Sequence, residues 1–262
     1  MKNIIGGLLL SFQLLTTFPI RKTVEWNKNS ARWSVRFFPL VGILLGGLLA
    51  VQYWVFVHYS SVSILFLSLW LLFFSILFSG GLHLDGWMDC SDAFFSYRDQ
   101  KRRQEIMSDS RVGAFAVISV IFLLSFRFLF MYETMMDGIE FAFFLLIPFL
   151  SRSFMSLLLI QGRLAKPNGM AAAFREHINA VDGSIIAAVL VMIPLGLIAL
   201  DIHQVFSISL LVISAFICFI WSKSFYKKQF GGITGDTLGA FVEGVETWLW
   251  FTIWLLRYFG MV

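Results

Sequence analysis

Residues 80–93 read GGLHLDGWMDCSDA, and this acidic segment follows directly on an apolar run, 63–80, that is long enough to cross a lipid bilayer. Continued as a helix, the segment places Asp85, Asp89 and Asp92 within an arc of roughly 60° on one face. Like charges about 4 Å apart cost on the order of 4 kcal/mol per pair near a protein surface, so these carboxylates require a bound cation or raised pKa values. Because the ligands are all oxygens, the segment predicts Mg²⁺, Mn²⁺ or Ca²⁺ rather than zinc.

The rest of the chain places this segment in a membrane. Of its 262 residues, 58% are hydrophobic and only 14% are charged, which excludes an ordinary soluble domain. Seven apolar stretches approach the twenty or so residues that a spanning helix needs. They lie near residues 37–58, 63–80, 114–131, 141–160, 184–200, 205–222 and 245–261. The sequence therefore predicts an all-α, polytopic membrane bundle of about seven transmembrane helices, forming one domain over residues 1–262.

A shorter apolar segment, residues 4–20, precedes these stretches and contains the polar residues Gln13, Thr16 and Thr17. Two interpretations fit it about equally: a spanning helix, or a helix that lies in the interface or re-enters the bilayer without crossing it. A cleaved signal peptide is disfavoured, because no small-residue cleavage site follows the apolar stretch.

Basic residues predict the orientation in the membrane. Lys and Arg occur in the loops near 21–36, 98–111, 163–175 and 223–228. They are absent from the alternate connections 59–62, 132–140 and 201–204. Because positive loops stay on the cytoplasmic side, the polar loops at about 81–113, 161–183 and 223–244 are predicted to face the cytoplasm. The net charge of +4 follows from this topology, so nucleic acid is not a predicted partner.

A second polar segment, residues 231–239, reads GGITGDTLG. Closely spaced glycines let backbone N–H groups approach an anion, while two threonines and Asp236 supply oxygen contacts. No Lys-Ser or Lys-Thr pair closes the segment as in a P-loop, which argues against an ATP-hydrolysing enzyme. Two interpretations stay open, a glycine-rich turn between helices and half of an anion-binding site. Glu243 and Glu246, which follow at helical spacing, favour the second.

Three further polar residues fall in or beside apolar stretches. Arg152 lies in the cytoplasmic half of a predicted span and requires an anionic partner or a polar cavity. Arg127 lies nearer the outer side, where snorkelling to the surface is predicted. His83 is rotated about 200° from Asp85 along a helix, and two roles are equally compatible with it: a structural histidine, or a base or hydrogen-bond donor that reaches the site from a non-helical entry.

Clustered aspartates, basic residues and a glycine-rich backbone on one side of a membrane are typical of metal-assisted phosphoryl transfer. A membrane transporter is the alternative class, but it would place acids near the bilayer midplane with access from both sides. A purely structural membrane subunit would leave the acidic cluster without a purpose.

Three polar motifs, in this order, resemble the cobalamin synthase family, adenosylcobinamide-GDP ribazoletransferase. They read GLHLDGWMDCSDA at 81–93, EIMSDSRVGA at 105–114 and GGITGDTLGA at 231–240. The segments FQLLTTFP at 12–19 and FPLVG at 38–42 also resemble that family, so the likeness extends over nearly the whole chain.

The resemblance implies a reaction. The family transfers the cobinamide phosphate moiety of adenosylcobinamide-GDP to the 3′-hydroxyl of α-ribazole or its 5′-phosphate, releases GMP, and requires Mg²⁺. The implied partners are these small molecules and membrane lipid, and self-association into a homo-oligomer is left open. The Asp-Gly-x-x-Asp-x-x-Asp core also resembles part of the CDP-alcohol phosphotransferase motif, so another Mg²⁺-dependent phosphotransferase of that type is a further alternative.

The resemblance also implies roles for individual residues. Asp85, Asp89 and Asp92 become Mg²⁺ ligands, with Asp109 or Asp236 completing the set. Asp92 is the expected general base, with His83 as the alternative. The residues expected to bind substrate are Arg111, Arg152, Lys227, Lys228, Gly232, Thr234, Gly235 and Thr237.

Overall fold

The computed structural model describes residues 2–260, and within this range every regular element is helical. The α-helices, in chain order, are α1 (Lys2–Leu15), α2 (Lys28–Tyr59), α3 (Ile64–Ser79), α4 (Leu82–Phe95), α5 (Gln100–Ile106), α6 (Ala114–Met136), α7 (Phe141–Gln161), α8 (Met170–Arg175), α9 (Ala180–Leu200), α10 (Val205–Phe230) and α11 (Gly235–Tyr258). A 3₁₀ turn, Ile202–Gln204, precedes α10. The predicted all-α class is confirmed.

The predicted polytopic membrane bundle is confirmed as well. Among residues 2–260, five helices, α2, α6, α7, α9 and α10, are long and apolar enough to cross a bilayer, and α3 with α4 forms a sixth candidate only as a pair bent by 90°. This count is lower than the predicted seven because α3 alone has only 16 residues and because α11 carries buried carboxylates that lower its hydropathy. Residue 261, the predicted end of the last span, lies outside the described residues.

Helix α1 decides between the two interpretations of segment 4–20. It has 14 residues, which at 1.5 Å each is about 21 Å, shorter than the hydrocarbon core of about 30 Å. It packs along α2, where Gly7 lies so close to Trp33 that a Cβ on it would overlap that side chain. We therefore assign α1 as a helix that does not cross the membrane on its own.

Two glycines turn the acidic helix α4 away from α3. Gly80 ends α3 with φ of 63°, and Gly81 precedes α4 with φ of 74°, conformations that glycine adopts at little cost. The turn lays α4 against α11. Gly86 makes this contact so close that a Cβ on it would lie 2.5 Å from the carbonyl oxygen of Asp236. The bend therefore brings the acids of α4 to the beginning of α11.

Helix α7 forms the centre of the bundle, with almost every residue from Ala142 to Leu159 buried. It packs most extensively against α2. Gly42 and Gly46 of α2 meet the backbone of α7 directly, without room for a Cβ, and small residues of this kind let membrane helices approach closely. The α2–α7 pair is therefore the rigid frame behind the site.

Charged side chains of α6, α7 and α11 pair inside the bundle. Arg127 donates to Glu243 at 2.6 Å and lies 3.5 Å from Glu246, while Arg152 pairs with Glu246 and donates to Ser151. The prediction that Arg127 snorkels to the surface is wrong, since its side chain is 2% exposed and α11 offers it two carboxylates within the bundle. Arg152 has the anionic partner that its position requires. Glu243 and Glu246 belong to this ion-pair network.

Candidate active site

A cavity of about 290 Å³ lies where α4 and the start of α11 face α1, α2, α7 and α8. Of the site residues predicted from the sequence, it brings together His83, Asp85, Thr234, Gly235 and Asp236. These residues come from two segments about 150 positions apart, joined by the close contact at Gly86. The cavity is therefore the candidate active site.

The carboxylates of α4 and α11 converge beside this cavity. Asp89, one turn beyond Asp85, is close enough to Asp85, Asp92 and Asp236 to be repelled electrostatically by all three. Asp92 lies further along α4, with its carboxylate against the backbone of Gly113, where no Cβ would fit. The acidic group thus begins at the cavity and ends at the segment that leads into α6.

The donor set fits a hard cation that is shared with a ligand. Within the described residues, no group of three or more His, Cys, Asp or Glu side chains is arranged to hold a metal ion by itself. The carboxylates extend along two turns of α4 instead. Mg²⁺ is usually bound by one or two carboxylates together with substrate phosphates and water. An extended, all-oxygen set whose members repel one another is compatible with that mode of binding.

Asp109 and Arg111 satisfy each other in an exposed loop between α5 and α6. The guanidinium of Arg111 donates to both carboxylate oxygens of Asp109, the shortest bond being 2.6 Å. These side-chain bonds, together with the backbone N–H of Arg111, lower the pKa of Asp109 to about 2. Neither residue lines the cavity, and the Arg111 side chain is 87% exposed.

The glycine-rich segment is both a turn and part of the cavity wall. Thr234 caps α11, because its hydroxyl accepts from the N–H of Thr237 at 3.2 Å and its own N–H donates to the Thr237 hydroxyl at 2.8 Å. Gly232 lies directly against the carbonyl oxygen of Arg163, where a Cβ would not fit. Gly232 and Thr237 therefore shape the turn, whereas Thr234, Gly235 and Asp236 line the cavity.

The first turn of α11 adds positive electrostatic potential to the cavity wall. The first N–H groups of a helix lack intrahelical acceptors and carry the positive end of the helix dipole. A helix start of this kind binds phosphate readily. Since Thr234, Gly235 and Asp236 line the cavity, the wall combines carboxylates with a backbone suited to an anion.

Lys166 was not among the predicted site residues, although it lines the cavity. Its ammonium group donates to the Ser108 hydroxyl at 2.7 Å and to the carbonyl oxygen of Gln104 at 3.3 Å, and so ties the second motif to the cavity. The adjacent turn Pro167-Asn168-Gly169 was the signal in the sequence, but cytoplasmic topology explained the basic residue equally well. Lys227 and Lys228 lie at the exposed end of α10 and do not line the cavity.

His83 is buried, with 2% exposure, and lines the cavity. Neither ring nitrogen has a hydrogen-bond partner among the described residues. An unsatisfied buried polar group costs about 1–3 kcal/mol. Because α4 begins at Leu82, His83 does not enter the site from a non-helical segment, and along the helix its side chain is turned about 200° from Asp85.

The fold and the site define a polytopic membrane protein with an acidic, phosphate-compatible cavity between its helices. The chain belongs to the cobalamin-5-phosphate synthase family, whose sequence model matches residues 7–254. It is similar to an adenosylcobinamide-GDP ribazoletransferase of Geobacillus sp. (strain WCH70), with 55% identity over 262 residues and 100% of each chain covered. The enzyme of the same name from Halalkalibacterium halodurans is 38% identical over 256 residues, with 97% of each chain covered. No solved structure matches significantly. The family resemblance stated from the motifs is confirmed.

Proposed function

We propose that this protein catalyses the last assembly step of the cobalamin nucleotide loop. The cobinamide phosphate moiety of adenosylcobinamide-GDP is transferred to the 3′-hydroxyl of α-ribazole or its 5′-phosphate. The ribose oxygen attacks the phosphorus that carries the cobinamide side chain, the bond to GMP breaks, and adenosylcobalamin or its 5′-phosphate forms. The observation that carries the proposal is the convergence of Asp85, Asp89 and Asp236 with Lys166 and the start of α11 beside one cavity, in a chain of this family.

Mg²⁺ is the proposed cofactor, held by Asp85, Asp89 and Asp236 together with the diphosphate of the donor, with Asp92 as a further ligand. When bound, the ion neutralises charge on the diphosphate. The repulsion among these carboxylates supports the proposal, because a dication removes it. Asp109 is not needed in this set, since Arg111 already satisfies its carboxylate.

Two residues are proposed as bases for the attacking hydroxyl. Asp92 is the first proposed base, and its carboxylate lies beside Gly113, at the segment that leads into α6. His83 is the alternative, but it lies within α4, turned about 200° from Asp85, and both of its ring nitrogens are buried.

The departing GMP carries negative charge, and the protein offers cations and helix dipoles to receive it. Lys166 and the first N–H groups of α11 lie in the cavity wall, where they stabilise developing charge on phosphate oxygens. The exposed cations Arg111, Lys227 and Lys228 attract the anionic donor from a distance. Arg152 is not assigned to substrate, because Glu246 neutralises it inside the bundle.

The proposed location is the inner membrane of a prokaryote, with the cavity open to the cytoplasm. The loop 163–175, which contributes Lys166 to the cavity, carries Lys and Arg residues, as do the loops 98–111 and 223–228, whereas the connections 59–62, 132–140 and 201–204 carry none. Positive loops are retained in the cytoplasm, where the nucleotide substrates are also found.

The test is a reconstituted reaction. Detergent-solubilised protein is incubated with adenosylcobinamide-GDP and each acceptor, with and without Mg²⁺, and GMP and the corrinoid product are followed by mass. We expect product only with donor, acceptor and Mg²⁺ together. Asp89→Asn should lower the rate by at least about 100-fold, because it removes one charge from the metal-binding set.

Asp137→Asn is the matched control, since Asp137 is an exposed carboxylate at the opposite end of α6. It should leave the rate unchanged. Normal, Mg²⁺-dependent GMP release by Asp89→Asn would refute the metal assignment. Uptake of cobinamide into vesicles without chemical change, and without any GMP release, would support the transporter class instead.

A further inference from the structure

A groove of about 1050 Å³ lies between α6 and α10 and shares no lining residue with the candidate active site. Both helices pack against α11, which forms the floor of the groove, but within residues 2–260 they make no extended contact with each other. The end of α4 closes the groove on the side of the basic loops. There Phe95 packs against Phe115 of α6 and Phe94 against Phe225 of α10, with ring centroids 5.5 and 5.3 Å apart.

The sides of this groove are exposed surface rather than packed core. Phe122 on α6 and Trp221 on α10 are each 60% exposed, and Trp248 in the floor is 48% exposed. Gly244, one turn before Trp248, adds no side chain to the floor. Since α6 and α10 are both candidate membrane spans, a groove between them opens sideways to the hydrocarbon of the bilayer.

The groove is about as long as one leaflet of the bilayer. Along α6 it extends from Phe115 to Phe126, which at 1.5 Å per residue is about 17 Å, close to half of a hydrocarbon core of about 30 Å. Beyond it, α6 and α11 meet, because the ring of Phe130 packs against Phe251 and Trp254 with centroids 5.2 and 5.5 Å apart. A helix of another protein would run across the whole bilayer, whereas an acyl chain occupies one leaflet. The length therefore favours a lipid as the occupant.

Positive charge surrounds the end of the groove at α4. Residues 98–105 and 227–230 together carry six basic and two acidic side chains. Gln100 joins these two segments, because its amide donates to two carbonyl oxygens at the end of α10, at 2.8 and 3.1 Å. The guanidinium of Arg103 lies 5.5 Å from the ring centroid of Phe94, which lines the groove. A lipid whose chains lie in the groove thus has its headgroup beside cations, which attract anionic lipids.

We propose that this groove is a binding site for an anionic phospholipid of the leaflet on the side of the basic loops. The acyl chains lie between α6 and α10, and the phosphate lies near the exposed side chains of Arg98 and Lys101. Because the end of α4 forms part of the groove, the bound lipid also supports the helix that carries the acids of the candidate active site. The site is independent of the proposed reaction.

Native mass spectrometry of the full-length protein in detergent, without substrates, tests the headgroup preference. Phosphatidylglycerol and phosphatidylcholine with the same acyl chains are titrated separately, and we expect the first to bind at least roughly tenfold more tightly. Each basic residue near the headgroup strengthens the binding of an anionic lipid about fivefold. Arg98→Gln combined with Lys101→Gln should therefore remove most of the preference. The same double exchange at Arg21 and Lys22, two exposed cations of another basic loop, should leave it unchanged.

A second pair of variants tests the position of the acyl chains. Ser119 lines the groove from α6, so Ser119→Trp fills it and should weaken the binding of both lipids at least roughly tenfold. Ser184→Trp is the matched control, because Ser184 is exposed on α9 and does not line the groove; it should bind both lipids as the wild type does.

Unchanged lipid binding by Ser119→Trp, or equal weakening by the two tryptophan variants, would overturn the proposal by showing only unspecific contact with lipid. A dimer mass that Ser119→Trp abolishes would also overturn it, since a second copy would then occupy the groove. If Ser119→Trp did not fold, the charge variants, which change only exposed side chains, would still decide. A phosphatidylglycerol preference that survives the loss of Arg98 and Lys101 would contradict the proposal.

Discussion

The contact between α4 and α11 at Gly86 should control both the activity and the stability of the protein. A Cβ on Gly86 would lie 2.5 Å from the carbonyl oxygen of Asp236, whereas ordinary contacts of this kind begin near 3.4 Å, so Gly86→Ala requires the helices to separate by roughly 1 Å. Overpacking of this size costs about 1–3 kcal/mol. The separation also moves Asp85 away from Asp236, and a misplacement of about 1 Å can lower a rate by about 100-fold.

The assay for Gly86→Ala measures GMP release per mole of folded protein in detergent, together with thermal unfolding of the same samples. Gly196→Ala is the matched control, because Gly196 lies in α9 with nothing within 4 Å of the added methyl group. We expect the control to keep its rate and melting temperature. If Gly86→Ala retained the wild-type rate, the close approach of the two helices would not be what assembles the site.

Three further predictions concern pairs and caps. Glu246→Leu should destabilise the fold by about 3–5 kcal/mol because it leaves Arg152 buried without its partner. In thermal unfolding, the double variant Glu246→Leu, Arg152→Met should regain much of the lost stability. If it regained none, the two side chains would not pair directly. Thr234→Ala should lower the free energy of unfolding by about 0.5–2 kcal/mol, because α11 loses its N-terminal cap. Thr234→Ser keeps a hydroxyl and should retain the wild-type stability. Equal stability of the two variants would show that the hydroxyl does not cap the helix. The pKa of Asp109 is lowered to about 2, against about 3.9 in the unfolded chain. Its bond to Arg111 therefore stabilises the loop fully at pH values above about 3.9 and is lost only as the pH falls toward 2. Arg111→Ala should leave the shape of the pH–rate profile between pH 5 and 8 unchanged, and a shifted profile would show that the pair titrates in that range.

Hydropathy predicted the helices in which apolar residues far outnumber charged ones, but not which charged residues pair inside the bundle. Long runs such as α6 and α9 carry a strong signal. The signal of α11 is weaker, because Glu243 and Glu246 lower its hydropathy and their partners lie far away in the sequence. The error over Arg127 has the same origin. Its partner Glu243 is 116 residues distant, so no local pattern distinguishes an arginine that pairs inside the bundle from one that reaches the surface.

The acids of the candidate site could be found from the sequence because a single helix supplies three of them. Asp85, Asp89 and Asp92 repeat at helical spacing, whereas the approach of Asp236 depends on a contact between two glycine-bearing helices. Lys166 lies in the predicted loop 161–183, but cytoplasmic topology accounts for its charge equally well, so its place in the cavity wall required the structure.

The pairing of Arg127 and Arg152 with residues of α11 also bears on how the protein is made. Both arginines are synthesised well before Glu243 and Glu246, and at about 5–20 residues per second the delay for Arg127 is on the order of 10 seconds. During that interval two cations occupy nascent membrane helices without their counter-ions, which the lipid interior tolerates poorly. Truncation before residue 246 should therefore leave two cations in the membrane helices without their counter-ions and direct the chain to quality-control proteolysis.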